Sequence, residues 1–314
     1  MQTILGANGT IGQELAKELK ANYKSTIRLV SRNPKRINKT DTIYCADLLN
    51  ANDTNNAIQE SNVVYFVVGL PMDSALWKKD FPVMLRNVIQ ACEQHNSKLV
   101  YLDNTYLYGS TKGTLTEATP FKPNGSKGKT RALMADMVLN EMAKNRLNAM
   151  ICRAPEFYGP LGTKSITNSI LFNRLAKNLP MKIFVTDKTL RTLIWAPDAS
   201  KALALLGNTP EAYGQTWHLP CDDNRLTYEQ LIATISQQYG KELDYKIARR
   251  FEILGTSLFK KTTRELVELL PRYAVDNIFD SSKFKRSFPD FQITSYTSGL
   301  AEIIAEIKHT RHTL

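Results

Sequence analysis

No apolar run in this 314-residue chain approaches the roughly 20 residues of a bilayer-spanning helix, so neither a span nor a membrane partner is expected. The chain passes straight into a strand pattern, and no signal peptide is expected either. Cysteine is scarce. Cys45, Cys92, Cys152 and Cys221 stand far apart with no C-x-x-C pair, which argues against a metal knot or disulfide frame and for buried thiols in a reduced, cytoplasmic compartment. The four histidines, His95, His218, His309 and His312, have no metal-binding spacing, and no nucleophile elbow is present. No metal is expected. His218, after Trp217, is either a satisfied strand histidine or part of a cleft wall. Acid is in deficit, with 30 Asp and Glu against 41 Lys and Arg, a formal net charge of +11. That balance suits an anionic ligand or simply a Lys-rich solvated surface. The densest cluster, Lys122–Arg131, lacks interleaved stacking aromatics, so nucleic acid is not expected as a partner.

What is present begins at the first residue. Met1–Gly12 carries a short apolar run, Ile4-Leu5, and then glycines spaced G-x-x-G-x-x-G before a helix predicted over Gln13–Ala21. In such a turn Gly6 allows the sharp exit from a strand, Gly9 lets a pyrophosphate approach the backbone, and Gly12 lets the helix lie close to the sheet. Asn8, Thr10 and Ile11 complete the cofactor-facing turn, and the helix N-terminus offers N–H donors to phosphate. A second strand, Thr26–Val30, ends in Ser31-Arg32, where an NAD-binding fold places an acid for the ribose 2′-hydroxyl. Ser31 can hydrogen-bond a 2′-phosphate and Arg32 can pair with it, so the expected cofactor is NADP rather than NAD. An ordinary basic turn is the alternative.

Thr42–Cys45 reads as a third strand followed by Asp47-Leu48, with Asp47 accepting from an adenine amino group or capping a helix over Leu49–Ile58, and Leu48 packing on the ring. The unbroken run Asn62–Gly69 is the pattern of a central parallel strand, with Val68 and Gly69 at its ligand-facing end. A helix over Ser74–His95, a strand at Lys98–Asp103, a helix over Lys129–Lys144 and a strand at Ala149–Arg153 complete a strand–helix alternation. The fold class is therefore α/β, a doubly wound parallel sheet. From Ala154 the rhythm loosens. Helices are expected at Ser165–Lys177, Asp198–Leu206, from Thr227 to Tyr239, and at Phe251–Leu270 and Gly299–His312, and strands at Thr189–Trp195 and Gln215–Leu219. We expect a dinucleotide-binding domain at 1–153 and a smaller, mainly substrate-side α+β domain at 154–314, with some later segments returning to the sheet.

The chain resembles the extended short-chain dehydrogenase/reductase superfamily, of the NAD(P)-dependent epimerase/dehydratase type. The resemblance rests on the glycine turn, Asp47-Leu48, Tyr108-Gly109, Arg153–Pro160 and Arg191–Asp198. It implies a Rossmann-type fold and a nicotinamide cofactor across the strand ends, with Pro155 and Phe157 on the cofactor side. It also implies sugar nucleotides or small carbonyl compounds as substrates, and a possible homodimer through the helices near Ser74–His95 and Lys129–Lys144. Members use a Ser/Thr, a Tyr and a Lys four residues after it; a nearby cation lets a phenol of ordinary pKa ~10 act as a base.

This chain departs from that pattern. Asn104, beside Thr105, stands at the Ser/Thr position, Lys127 at the Tyr position and Arg131 at the Lys position, and no Tyr lies within Pro120–Ala149. Lys127, desolvated beside Arg131, can serve as acid/base and Arg131 can hold a ribose; a solvated helix start is the alternative. Asn104 or Thr105 can orient a substrate oxygen. Tyr106, Tyr108 and Tyr158 are the replacement phenols, Tyr108 reading more as packing, and only a turn would separate the fates of Tyr106 and Tyr108. Two readings stay open: an NADP(H)-dependent oxidoreductase or epimerase/dehydratase-like enzyme with an altered acid/base set, or a non-catalytic NADP(H)-binding sensor or interaction module.

Overall fold

The computed structural model describes residues 1–110 and 113–312. Its elements, in chain order, are β1 (Gln2–Leu5), α1 (Thr10–Tyr23), β2 (Ile27–Ser31), β3 (Thr42–Cys45), α2 (Ala51–Ile58), β4 (Val63–Phe66), α3 (Ser74–Gln94) and β5 (Lys98–Asn104). A 3-10 turn at Thr105–Tyr108 leads to β6 (Thr114–Leu115), α4 (Gly125–Ala143), β7 (Ala149–Ala154), β8 (Glu156–Tyr158), α5 (Ile166–Ile170), α6 (Phe172–Ala176), β9 (Met181–Phe184), β10 (Leu190–Arg191) and β11 (Leu193–Trp195). The chain then forms α7 (Ala196–Gly207), β12 (Thr216–His218), β13 (Leu226–Thr227), α8 (Tyr228–Tyr239), β14 (Tyr245–Ala248), α9 (Arg250–Ser257), α10 (Lys261–Val267), β15 (Ile278–Phe279), α11 (Ser282–Ser287) and α12 (Tyr296–His312).

Two compact units emerge. The first takes in 1–107, 126–154 and 199–219; the second takes in 108–125, 155–198 and 220–314. The first unit is built on a seven-stranded sheet ordered β12-β7-β5-β4-β1-β2-β3, with every neighbouring pair parallel. This is the doubly wound, Rossmann-type α/β architecture. The all-apolar β4, Val-Val-Tyr-Phe, is buried along its whole length, as a strand covered on both faces must be. β1 lies between β2 and β4, so strand order reverses there and the loops after β1 and β4 flank the switch point.

Several sequence expectations are corrected. Cys45 is exposed, because β3 is the edge strand and shows one face to water; the other three thiols are buried. Asn50, not Asp47, caps the helix after β3, accepting from Asn52 and Asp53 N–H. The helix expected from Lys129 starts at Gly125, which places Lys127 and Arg131 inside it. The helices expected at Ser165–Lys177 and Phe251–Leu270 are each two shorter ones, broken near Leu171 and Leu258. The side chain of His312 lies outside the described residues.

The second unit holds two-stranded pairings: β8 with β11, β9 with β14 and β6 with β15, all parallel, and β10 with β13, antiparallel. Its core is aromatic. Tyr158 packs on Trp195 and Tyr296 at ring-centroid distances of 5.1 and 5.6 Å. The phenol of Tyr296 donates to the Leu193 carbonyl and accepts from its N–H. Tyr158, a candidate for facing a ligand, is thus consumed in packing.

Candidate functional site

The glycine turn is built by close backbone approach. Gly6 has φ +90°, and a Cβ there would lie 2.9 Å from Val68 Cα, so the loops after β1 and β4 touch. A Cβ on Gly12 would lie 2.8 Å from the Gly6 carbonyl oxygen and 2.9 Å from Ala7 Cα; only glycine fits. Gly9 is more open, its nearest atom being the Gly6 carbonyl oxygen at 3.3 Å. It is the N-cap of α1 and provides no side-chain cap. The first-turn N–H groups of Ile11 and Gly12 therefore sit where orphan donors and the positive end of the helix dipole suit a phosphate. These residues fit a dinucleotide pyrophosphate.

Around the turn, the Asn8 side chain donates to the Asn33 carbonyl (2.6 Å) and accepts from Lys35 N–H (3.1 Å), tying the first loop to the end of β2. Ser31 Oγ accepts from Asn33 N–H, and Arg32 is exposed. One Asp47 oxygen accepts from Leu49 N–H (3.1 Å), and Leu48 is buried. Gly69, with nothing within 4 Å of a built Cβ, is exposed beside half-buried Val68. All of these belong to the first unit. Pro155 and Phe157 belong to the second, where Phe157 pairs with Ile194 in register.

The residues replacing the Tyr–Lys pair are not a solvated helix start. Lys127 and Arg131, one helical turn apart, share the buried face of α4, while Lys129 between them is exposed. Lys127 is fully buried, and its Nζ donates to Ser74 Oγ at 2.7 Å, at the first turn of α3. Asp73 caps that turn by accepting from Ala75 and Leu76 N–H. Arg131 turns inward. Its guanidinium lies over the Phe81 and Trp77 rings at 4.5 and 5.1 Å, donates to Tyr101 Oη at 3.3 Å and sits 3.9 Å from Asp103 Oδ1. Asp103 in turn accepts from Arg153 Nε at 3.1 Å. Burial and the neighbouring Asp103 carboxylate keep the Tyr101 phenol protonated well above the ordinary tyrosine range.

The Asn104 side chain accepts from Tyr106 N–H (2.9 Å) and so starts the 3-10 turn, beside buried Thr105. That turn separates the two phenols. Tyr106 is half-buried and stacks on Trp77 (6.1 Å, 17° between planes), whereas Tyr108 is buried and donates to the Thr116 carbonyl. His218 is buried in β12, in register with Arg153. Ser74, Trp77, Phe81 and Asp103 escaped the sequence reading. The only available signal was an Asp at the end of β5 and aromatics at helical spacing after Ser74.

In the second unit, Glu156 accepts from Thr167 Oγ1 (2.7 Å), Tyr273 Oη (3.3 Å) and Arg191 Nη2 (3.3 Å). The buried Arg191 also donates to the Arg272 carbonyl (2.7 Å). Among the described residues, no group of three or more His, Cys, Asp or Glu is arranged to hold a metal ion, and no helix is long and apolar enough to cross a membrane.

Comparison with known proteins agrees with this fold. Residues 3–219, more than half of the chain, match the model of the NAD dependent epimerase/dehydratase family. UDP-D-apiose/UDP-D-xylose synthase 2 of Arabidopsis thaliana is 25% identical over 189 residues, 49% of this chain and 49% of that protein. The chain thus matches about half the length of that curated relative. Among solved structures, UDP-glucuronic acid 4-epimerase from Bacillus cereus, in complex with UDP-glucuronic acid and NAD, superposes with a TM-score of 0.80 at 18% identity, covering 99% of this chain and 100% of that one. A dTDP-glucose 4,6-dehydratase from Streptomyces venezuelae, with NAD bound, gives 0.78 at 14% identity, covering 100% and 98%.

Proposed function

The chain belongs to the NAD dependent epimerase/dehydratase family, and from that premise we propose that it is an NADP(H)-linked oxidoreductase of the epimerase/dehydratase kind, acting on a hydroxyl or carbonyl carbon of a sugar nucleotide or small carbonyl compound. The observation that carries the reading is the glycine turn Gly6–Gly12 at the switch point, where Gly6 and Gly12 leave no room for a Cβ, beside a β2 that ends in Ser31-Arg32 instead of a carboxylate. Ile11 and Gly12 N–H hold the pyrophosphate, Ser31 and Arg32 take the 2′-phosphate, Asp47 accepts from the adenine amino group, and Leu48 packs on its ring. The bound dinucleotide supplies or accepts a hydride. Pro155 and Phe157 are assigned to its nicotinamide side.

Lys127 is the proton carrier in this reading. Its Nζ gives a proton to the substrate oxygen as a carbonyl is reduced and recovers it in the reverse direction, while Ser74 holds it. Asn104 and Thr105 orient that oxygen, and Tyr106 on Trp77 forms a flat apolar wall. Arg131 acts by positioning, since its guanidinium is spent on Tyr101, Asp103 and the Trp77 and Phe81 rings. We place the protein in a reducing, cytoplasmic compartment on its four scattered cysteines, which include no C-x-x-C pair, and propose a homodimer through α3 and α4, where Leu133 is exposed.

Titration with NADPH and NADH, followed by NADPH oxidation over a panel of sugar nucleotides, aldehydes and ketones, tests the reading. Tighter NADPH binding with turnover supports it. Preference for NADH, the reduced form of the cofactor named with the solved neighbours, overturns the Arg32 argument. Tight binding with no turnover favours a sensor, a reading that rests on the missing Tyr–Lys pair and on the Lys127 Nζ bond to Ser74.

A further inference from the structure

The second unit carries an apolar surface that its own core does not use. On α9, Ile253 and Ser257 are buried, while Phe251 and Leu254, with Leu258 just past its end, at i, i+3 and i+7, form an exposed stripe beside them. Their exposures are 65%, 41% and 71%, and Phe259, at the apex between α9 and α10, is 88% exposed. Four large apolar side chains exposed within nine residues are not an ordinary surface. The apex is held in shape. Arg264 donates to the Ser257 and Leu258 carbonyls at 3.2 Å each, and Phe259 and Lys260 N–H bond back to the Thr256 carbonyl.

Charge says what the patch meets. Arg249, Arg250, Lys260, Lys261 and Arg264 all flank the stripe and are exposed. The single acid in that stretch, Glu252, is turned back onto Arg249 N–H at 2.9 Å. Two such faces would repel across a two-fold axis, so a second copy is disfavoured. Protruding Phe and Leu ringed by Lys and Arg match an anionic bilayer surface, where the rings enter the acyl boundary and the cations stay among the headgroups. We propose that Phe251, Leu254, Leu258 and Phe259 form a peripheral docking tip for membranes rich in anionic phospholipid. This is attachment at the surface, without a spanning segment.

The test is co-sedimentation of the full chain with phosphatidylcholine vesicles, with and without a phosphatidylserine fraction. The wild type is expected to bind only the phosphatidylserine vesicles and to be released by salt. The double variant Leu258→Ser/Phe259→Ser should partition at least about tenfold less with unchanged far-UV circular dichroism. Lys260→Glu/Lys261→Glu should lose the same binding with the apolar tip intact. Absence of phosphatidylserine-dependent binding overturns the proposal, as does equal binding by the Leu258/Phe259 variant. A wild-type dimer that this variant converts to monomer in vesicle-free sedimentation would overturn it in favour of a second copy.

Discussion

Replacing Asp103 by Asn probes the charge cluster of the first unit. The Asp103 side chain is fully buried, 3.1 Å from Arg153 Nε and 3.9 Å from Arg131 Nη1, and the Tyr101 phenol also points at it (3.4 Å). Asn keeps the shape and one acceptor but removes the charge that two buried guanidinium groups share. At about 4 Å and an effective dielectric near 20, each pairing amounts to about 4 kcal/mol before desolvation is counted. Breaking a buried pair from one side costs about 3–5 kcal/mol, because the opposite charge stays buried. Against a typical total of about 5–15 kcal/mol, that is a large share of the stability. Urea denaturation should show the midpoint falling with the slope unchanged. Pairing Asp103→Asn with Arg153→Met should recover part of the loss, leaving a coupling of at least about 1 kcal/mol. A single-variant cost within about 0.5 kcal/mol of the parent, or strict additivity, would refute the cluster as an energetic unit.

Lys127→Met should leave cofactor affinity unchanged while lowering kcat by about 10²- to 10⁴-fold; an unchanged kcat would remove Lys127 from proton transfer. Gly12→Val should abolish cofactor binding and weaken the fold, since its Cβ meets backbone at 2.8 Å, whereas Gly9→Ala should fold normally and bind the dinucleotide about tenfold more weakly, read by fluorescence titration. Tyr158→Phe should change stability by no more than about 1 kcal/mol, because its buried hydroxyl has no hydrogen-bond partner among the described residues; a larger loss in thermal denaturation would show that it has one. In the native protein only exposed Cys45 should react quickly with a thiol reagent. Burial pushes the Cys92 and Cys152 thiols far up and that of Cys221 to about 12, so these three stay protonated at mildly alkaline pH and react only on unfolding.

The first unit was legible because its determinants are local. A strand buried on both faces must be apolar throughout, as Val63–Phe66 is, and a turn with no room for a Cβ must be glycine, as Gly6 and Gly12 are. Such constraints leave their mark in consecutive residues, and from them the α/β fold and the candidate phosphate cradle could be read directly. Charge burial leaves no such mark. Lys127, Lys129 and Arg131 look alike in sequence, yet the rotation of α4 buries the first and third and exposes the second. The partners that make burial tolerable come from Ser74, Trp77 and Phe81 on α3 and from Tyr101 and Asp103 on β5. Likewise Tyr106 and Tyr108 differ only because Asn104 starts a 3-10 turn between a stacking site on Trp77 and a packed interior. The sequence by itself determined the sheet and the glycine turn, since each follows from backbone sterics and apolar burial within a few residues. The packing of α3, α4 and β5 decided which cations are buried and what they touch, because the energy of a buried charge depends on groups brought together only when the chain has folded.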